Sequence, residues 1–488
     1  MKTKLEKLEK IKAAGMDPYP EKTERNISNG EALEKFDELK NEIVLAGRIK
    51  SMRLMGNACF VHIEDGTGKI QFFFGKKNVG DEKYKLFVKN AEIGDFVEAR
   101  GKLFLTKQEE KSLEVIEWKM LSKNIRPIPT EYFGLKDEEA LLRRRYLDLM
   151  MNPETREIFE KKRIFWHTVR HSLVEVGFLE VQTPALEVIP GGAEAEPFMT
   201  HHNALDRDFY LRISLELALK RLLVGGYEKV FEIGRVFRNE GIDRDHLQEY
   251  DMVEFYAAYW DLEKGMEFSE KLFKEIVKNI FKVSPRGTRG ETLNIAITEY
   301  EGNKIDWSKK FPIVDYFTEF KKETGLNLND DLSVEELKKK ADELKIKYEK
   351  SYGKGRMIDT LYKKTVRQKL IQPCFLTGHP LEVSPLAKID PKNPKKVLRF
   401  QIVAGASELC NAFAELNDPI DQKNRFLEQM KAKAAGDKEA MAMDEDFVEA
   451  LEYGMPPAFG MGFSERLFSF IMDKSIRECV IFPGMKEK

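Results

Sequence analysis

"FRNEGIDRDHLQEYDMVEFY", residues 237–256, sets Arg238, Glu240, His246, Glu249 and Glu254 among residues that otherwise suit a buried sheet. An ion buried without a partner is strongly destabilising, so these side chains face either solvent or a ligand. In the wider window, "KVFEIGRVFRNE" (229–240) and "EYDMVEFYAAYW" (249–260) both read as strands. The short polar link "GIDRDHLQ" makes them antiparallel neighbours. A period of two puts Glu232, Arg238 and Glu240 on one face of the first strand, and Tyr250, Glu254 and Tyr256 on one face of the second. Such a face is a poor core and a good polar pocket. Arg238 has the planar fork that holds a carboxylate or phosphate, and Glu254 can pair with a cation.

Two segments further along extend that wall. In "SELCNAFAELNDPIDQ" (407–422), strand alternation sets Glu408, Cys410 and Ala412 against Leu409, Asn411, Phe413 and Glu415. "PPAFGMGFSERLF" (456–468) reads as a glycine-containing turn into a helix that opens with Glu465-Arg466. Close backbone approach and an arginine at a helix start suit a nucleotide. No P-loop and no dinucleotide-binding glycine fingerprint occurs.

The remainder of the chain organises around this pocket. Residues 43–121 carry short alternating runs, "EIVLAGRIKSMR", "ACFVHIEDGTGKIQFFFG", "DFVEARGKLFLTK" and "SLEVIEWKMLSK". Five strands in about 80 residues predict an OB-type β-barrel, a fold that holds single-stranded nucleic acid on one sheet face. Alternation puts Phe60 with His62, and Gln71 with Phe73. Ahead of the barrel, Leu5, Leu8 and Ile11 mark a short amphipathic helix. Behind it, a proline-marked linker leads to a long helix over about 154–175 and to "GFLEVQTPAL" (177–186), a strand stopped by Pro184. The fold class expected is α+β: an N-terminal extension (1–40), the barrel (41–125), a linker (126–150) and a catalytic domain (151–488). That domain holds an antiparallel sheet flanked by helices and a helical insertion at about 325–370.

Bulk properties narrow the function. With 81 basic and 83 acidic residues the formal net charge is −2, so any RNA contact is a local patch and not a basic coat. The four cysteines stand singly, with no C-x-x-C pair for zinc or redox work. His167 and His171 have helical metal spacing but no third ligand. No long apolar run or leader-like segment appears, which predicts a cytoplasmic protein without a membrane.

At these residues the chain resembles the class II aminoacyl-tRNA synthetases, and within them the lysyl branch. "GFLEVQTPAL" resembles the first motif of the class, "FRNEG" with "HLQEYDMVEFY" the second, and "GMGFSERL" the third. "RRRYLDLMMNPETR", "PGGAEAEPFMTHHNALD", "LLVGGYEKVFEIGRVFRNEG", "HPLEVSPLAK" and "NAFAELNDPIDQ" favour the lysyl branch over its aspartyl and asparaginyl relatives. The resemblance implies activation of L-lysine with ATP and Mg²⁺, transfer to tRNA-Lys, and a homodimer joined through the first motif. It implies that Arg238 bridges the α-phosphate and the lysine carboxylate, Glu240 meets the adenine amino group, and His246 lies near the γ-phosphate. Tyr250 and Arg466 would sandwich the adenine. Gly192, Glu216, Glu254, Tyr256, Asn411, Phe413 and Glu415 would form the lysine pocket, and Glu408 would help hold Mg²⁺. Arg48, Phe60, Gln71 and Phe73 match anticodon-contacting positions.

The chain also departs from that pattern. Gln401 stands where the resemblance expects an acidic metal ligand, and Ser407 where it expects an arginine before Glu408. His246-Leu247-Gln248-Glu249-Tyr250 replaces the usual His-Asn-Pro-Glu-Phe, and Glu196 a common arginine. The third motif is one residue short, with Ser464 for its last glycine.

Overall fold

The computed structural model describes residues 2–128, 137–241, 243–282, 296–434 and 440–485. Residues 129–136, inside the expected linker, lie outside the described residues. The chain forms two compact units, Met1–Ala140 and Leu141–Lys488.

The first unit is built on a closed barrel of β1 (Ile43–Met55), β2 (Ala58–Glu64), β3 (Lys69–Gly75), β4 (Phe96–Leu105) and β5 (Lys111–Ser122), in the order β1-β2-β3-β5-β4. Alternation decides what fills it. Cys59, Val61 and Ile63 of β2 and Ile70, Phe72 and Phe74 of β3 point inward and are buried. The helix Asp81–Asn90 plugs the barrel, its Phe87 ring stacked on Phe74 at 3.8 Å and set edge-on to Trp118 at 4.9 Å. The amphipathic helix Lys2–Ala13 adds Ile11 to this core, while Lys4 and Lys7 pair with Glu92 and Leu5 stays exposed.

The second unit centres on a large mixed sheet. Its strands run Ile313–Asp315, Cys374–Thr377, Arg399–Ala404, Asn411–Ala414, Ala458–Ser464, Glu249–Ala258, Lys229–Phe237 and Leu179–Glu180, with Ser407–Glu408 paired beside Arg399–Ala404. The six inner strands are antiparallel and the two edge strands pair parallel. Parity divides its faces. Phe231, Val253, Phe255, Phe459, Met461 and Phe463 enter the main core, against the helices Pro153–Glu175 and Leu262–Lys282. Helix Leu262–Lys282 buries Leu272, Phe273, Ile276, Val277 and Ile280, the i, i+3, i+4 stripe that a one-sided helix requires. Residues of the other parity, including Tyr250, Met252, Glu254 and Tyr256, turn to the opposite face.

Three local expectations change. The 177–186 segment gives a strand of two residues, Leu179–Glu180, because a left-handed Gly177 (φ +88°) precedes it and Pro184, which lacks an N–H donor, follows. The 456–468 segment is not a turn: Ala458–Ser464 is a central strand, and the helix Arg466–Ile471 follows it at once. The 407–415 segment does not alternate evenly. Glu408 is opposite Val403, whereas Ala412 is opposite Phe400, so this segment has one residue more than its partner between the two pairs. That bulge turns Glu408 to the same face as Asn411 and Phe413.

The charged 330–350 stretch contains the helix Val334–Glu343, with a Ser333–Glu336 capping box. It packs with Tyr316–Thr324 and Lys354–Thr365 into a core of their own, between the Ile313–Asp315 and Cys374–Thr377 strands. All four cysteines are buried and unpaired. Among the described residues no helix is long and apolar enough to cross a membrane.

Candidate active site

On the pocket face the hairpin register places Glu232 opposite Glu254, Val230 opposite Tyr256 and Val236 opposite Tyr250. Glu232 proves structural: Arg212 meets one of its oxygens at 2.7 Å, and the Thr183 backbone N–H and hydroxyl meet the other at 2.9 and 2.7 Å. Glu254 has no such cation. It is 3% exposed and accepts from Ser214 Oγ (2.7 Å), Leu215 N (2.9 Å) and Tyr256 Oη (2.7 Å). Leu215 precedes the helix Glu216–Val224, so its N–H belongs to the positive end of a helix dipole.

Behind Glu254 lie two more buried carboxyls. Lys220, with a fully buried side chain, bonds Glu216 at 2.5 Å and is ion-paired with Glu415. One ammonium thus serves two carboxyls while Glu254 keeps neutral donors. Burial pushes Glu216 up to about 7 against the pull of Lys220, with Glu254 adding to the rise. Glu415 is pushed up to about 8 by burial, again against Lys220, with Glu216 and Glu254 raising it further. Burial and these carboxyls drive the Tyr256 phenol far above its ordinary value, which keeps it a neutral donor.

These groups bound a cavity of about 260 Å³, lined by Gly192, Glu216, Arg238, Glu254, Tyr256, Asn411 and Phe413 among the expected residues. Glu415 lies buried beneath it. The cavity exists because its floor has no side chains: a Cβ on Gly460 would stand 2.1 Å from Glu415 Oε1 and 2.3 Å from the Tyr256 ring. Arg238, just past its strand, donates from Nε to the Ile213 carbonyl at 3.3 Å, and its guanidinium lies 5.6 Å from the Tyr250 ring centre.

The remaining expected residues do not line this cavity. Glu240 is half-buried beside it in sequence, and Gln248 bonds its carbonyl at 3.1 Å. His246 is exposed and bonds Asp243 at 2.8 Å. Arg466 reaches Asp245 of the same loop at 3.6 Å. Sequence reasoning missed Arg399, Ser214 and Met252 on the cavity wall and Lys220 behind it. Lys220 was signalled by its i, i+4 spacing from Glu216, and Arg399 by its period of two from Gln401. Arg399 donates to Asn411 Oδ1 at 3.0 Å and lies 5.5 Å from the Phe413 ring.

A divalent cation held between Gln401 and Glu408 does not fit the donors present. The Gln401 amide nitrogen points at Glu408 Oε2 (3.1 Å), its oxygen points at His379 Nε2 (3.1 Å), and Arg367 Nη1 meets Glu408 Oε1 (3.0 Å). Among the described residues no group of three or more His, Cys, Asp or Glu is placed to hold a metal.

On the barrel, Phe60 pairs with Phe73 and His62 with Gln71 on the outer face. The two phenylalanine rings stand 5.2 Å apart, and Phe104 lies 5.8 Å beyond Phe73. Glu110 accepts from Gln71 (2.5 Å) and bonds His62 (2.8 Å). Arg48 is farther along β1, opposite Glu64 and over the Phe96 ring at 4.2 Å, and Arg53 is the residue opposite Phe60.

A barrel with an aromatic outer face and a mixed sheet with an acidic, arginine-bearing pocket define a class. Residues 137–486 match the family of class II tRNA synthetases (D, K and N), and residues 43–121 match the OB-fold nucleic acid binding domain. A lysine–tRNA ligase of Pelotomaculum thermopropionicum is 43% identical over 100% of this chain and 95% of its own length. One of Moorella thermoacetica is 43% identical over 100% and 98%, and one of Bacillus subtilis 39% over 100% and 97%. The chain belongs to the lysine–tRNA ligase family of class II synthetases.

The glycine floor gives a direct test. Gly460→Ala should weaken the binding of the pocket's amino-acid ligand by at least about tenfold and also lower global stability, since the added Cβ would meet Glu415 and the Tyr256 ring and overpacking of that kind costs on the order of 1–3 kcal/mol. Calorimetric titration beside thermal unfolding reads both.

Proposed function

We propose that this chain activates L-lysine with ATP to lysyl-adenylate and passes the lysyl group to tRNA-Lys. The observation that carries this reading is the acidic end of the buried pocket, where Glu216, Glu254 and Glu415 cluster about the single ammonium of Lys220 while Arg238 and Arg399 stand on the cavity wall. That end favours a cationic side chain over an acidic one. A substrate ammonium beside Glu254, Glu216 and Glu415 supplies the charge. The Tyr256 hydroxyl and Asn411 fix the pocket's walls, Phe413 lies along the aliphatic stem, and Gly192 leaves room for the α-amino end.

The reacting carboxylate then lies toward Arg238. One of its oxygens attacks the α-phosphorus of ATP, the bond to the bridging oxygen breaks, and pyrophosphate leaves. Two anions must meet, and a guanidinium that touches both offsets the repulsion where negative charge builds. Positioning supplies much of the remainder, so no general base is required. Tyr250 and Arg466 hold the adenine ring between them, Glu240 accepts from its amino group, and His246 turns from Asp243 to the γ-phosphate. Mg²⁺ carried by the nucleotide would screen its phosphates. In the second step a terminal ribose hydroxyl of tRNA attacks the lysyl carbonyl carbon and AMP leaves.

For tRNA, the adjacent, mutually tilted Phe60 and Phe73 rings offer a platform for unpaired anticodon bases, with Gln71 as a polar reader and Arg48 toward the backbone. A second copy of the chain covers the exposed Val174, Leu179, Leu186 and Met199 around the first-motif segment, giving a homodimer. The activity belongs in the cytoplasm, with its tRNA.

Three outcomes test this reading. Pyrophosphate exchange into ATP should depend on lysine, and Glu254→Gln should raise the lysine requirement on the order of 100-fold with little change for ATP, the scale of a charge-assisted contact. Exchange stimulated by aspartate and not by lysine would overturn it. Lysine binding should tighten as pH rises through about 7 to 8, because the raised carboxyls of Glu216 and Glu415 must ionise to meet the ammonium. The cation lowers their affinity for protons, so protons are released below that window, readable as buffer-dependent heat. Phe73→Ala should cut tRNA charging about tenfold through the tRNA requirement and leave exchange intact, the cost of one lost base stack.

A further inference from the structure

One charged cluster beside the pocket is left over by this chemistry. The Arg399–Ala404 strand carries Arg399 into the cavity wall, and two residues on, the same face carries Gln401. The bulge after Glu408 brings that carboxylate beside Gln401. Gln401 is fixed from behind by His379, which is 2% exposed and packed against the Tyr316 ring at 5.2 Å. Burial and the nearby Arg399 keep the His379 imidazole neutral. Its Nε2–H donates to Gln401 Oε1, and this leaves the amide NH₂ to face Glu408. Turning the amide over would set its oxygen against a carboxylate oxygen. The two groups that would have to converge on a cation therefore present one oxygen and one N–H, and hard divalent cations take oxygen ligands.

The other oxygen of Glu408 is also taken. Arg367, from the short 3₁₀ turn Arg367–Lys369 after the helix Lys354–Thr365, donates to it from Nη1 at 3.0 Å. Burial would raise the Glu408 carboxyl, yet Arg367, Lys363 and Arg399 outweigh it and hold the group below its usual range. A divalent ion at Glu408 would have to displace the guanidinium that already holds this half-buried carboxylate by a charge-assisted bond. The Arg367 side chain is itself about a quarter exposed, so the guanidinium that holds Glu408 also borders open space. Ser407, where the family resemblance expects a cation, is buried and paired opposite Ala404. The positive charge has moved from the strand to the turn across from it.

We propose that Arg367 is the fixed cation of this site, standing in place of a divalent ion that the protein would otherwise hold between positions 401 and 408. This rests on the reading of the adjoining cavity as one that uses ATP. Arg367 positions Glu408 and meets the phosphate side of the nucleotide, and the divalent ions bound are those the nucleotide itself brings. A guanidinium cannot dissociate, so this part of the site is complete at low magnesium.

Mn²⁺ counted by electron paramagnetic resonance on the full chain, with and without a non-hydrolysable ATP analogue, tests it. Wild-type protein should leave Mn²⁺ free without nucleotide. The double variant Gln401→Glu/Arg367→Gln should hold one more ion per chain than wild type when the analogue is present. Equal counts would overturn the proposal, as would Mn²⁺ bound to wild type without nucleotide and lost in Glu408→Gln. That last comparison stands even if the double variant fails to fold. Arg367→Gln alone should raise the Mg²⁺ concentration for half-maximal pyrophosphate exchange by about tenfold, the scale of one charge-assisted bond, and Arg367→Lys should restore part of it. An unchanged magnesium requirement in Arg367→Gln would refute the role. Wild type with no lysine-dependent exchange would remove the proposed activity while leaving the ion count to stand on its own.

Discussion

Three buried carboxyls, brought together from the central sheet and the helix Glu216–Val224, share one ammonium beneath the cavity. Lys220 joins Glu216 to Glu415, and Glu254 is held by a hydroxyl, a phenol and a helix-start amide. Neutral donors and a helix dipole keep a carboxylate in place without cancelling its charge. A carboxylate held in this way is the kind of group that makes a pocket selective. A site whose own groups would be left unpaired rejects an analogue lacking the matching group far more strongly than an apolar pocket rejects a change in shape.

The sheet makes this possible by keeping its two faces apart. One parity of residues along Glu249–Ala258 and Ala458–Ser464 packs into an aromatic core, and the other borders the cavity. That core is dense with tilted and edge-on ring contacts, Phe255 against Phe178 and Phe273 against Phe463 among them. A rigid floor matters here because charges stay apart only if the backbone cannot relax to bring them together. Gly460 on that floor leaves room for the Glu415 carboxyl and the Tyr256 ring.

The same economy governs the edge of the site around Glu408. Arg367 on Glu408 and Arg399 on Asn411 place fixed guanidinium groups along one edge of the site. Planar, always-charged forks hold their geometry where an ammonium would swing and an ion could leave. The opposite end of the site is looser: His246 pairs with Asp243 on an exposed loop, and Arg466, at the start of its helix, reaches Asp245 of that loop at 3.6 Å, pairings that solvent weakens.

Much of this was legible in the residue order. A period of two put Arg238, Glu254 and Tyr256 on one wall, and the five barrel strands announced themselves by alternation and turn residues, because such signals are local. The bulge at 409–410 was not legible, since it shows only as a mismatch in length between two paired strands. The glycine-bearing Ala458–Ser464 reads locally as a turn and becomes a central strand because neighbours on both sides pair with it. By itself, the sequence determined the fold class, the family and the residues of the acidic wall. Only the tertiary structure decided that Lys220 would also pair with Glu415 and that Arg367 would lie on Glu408. Those partners are far apart in the chain, and charge interactions depend on separation in space, which residue order does not contain.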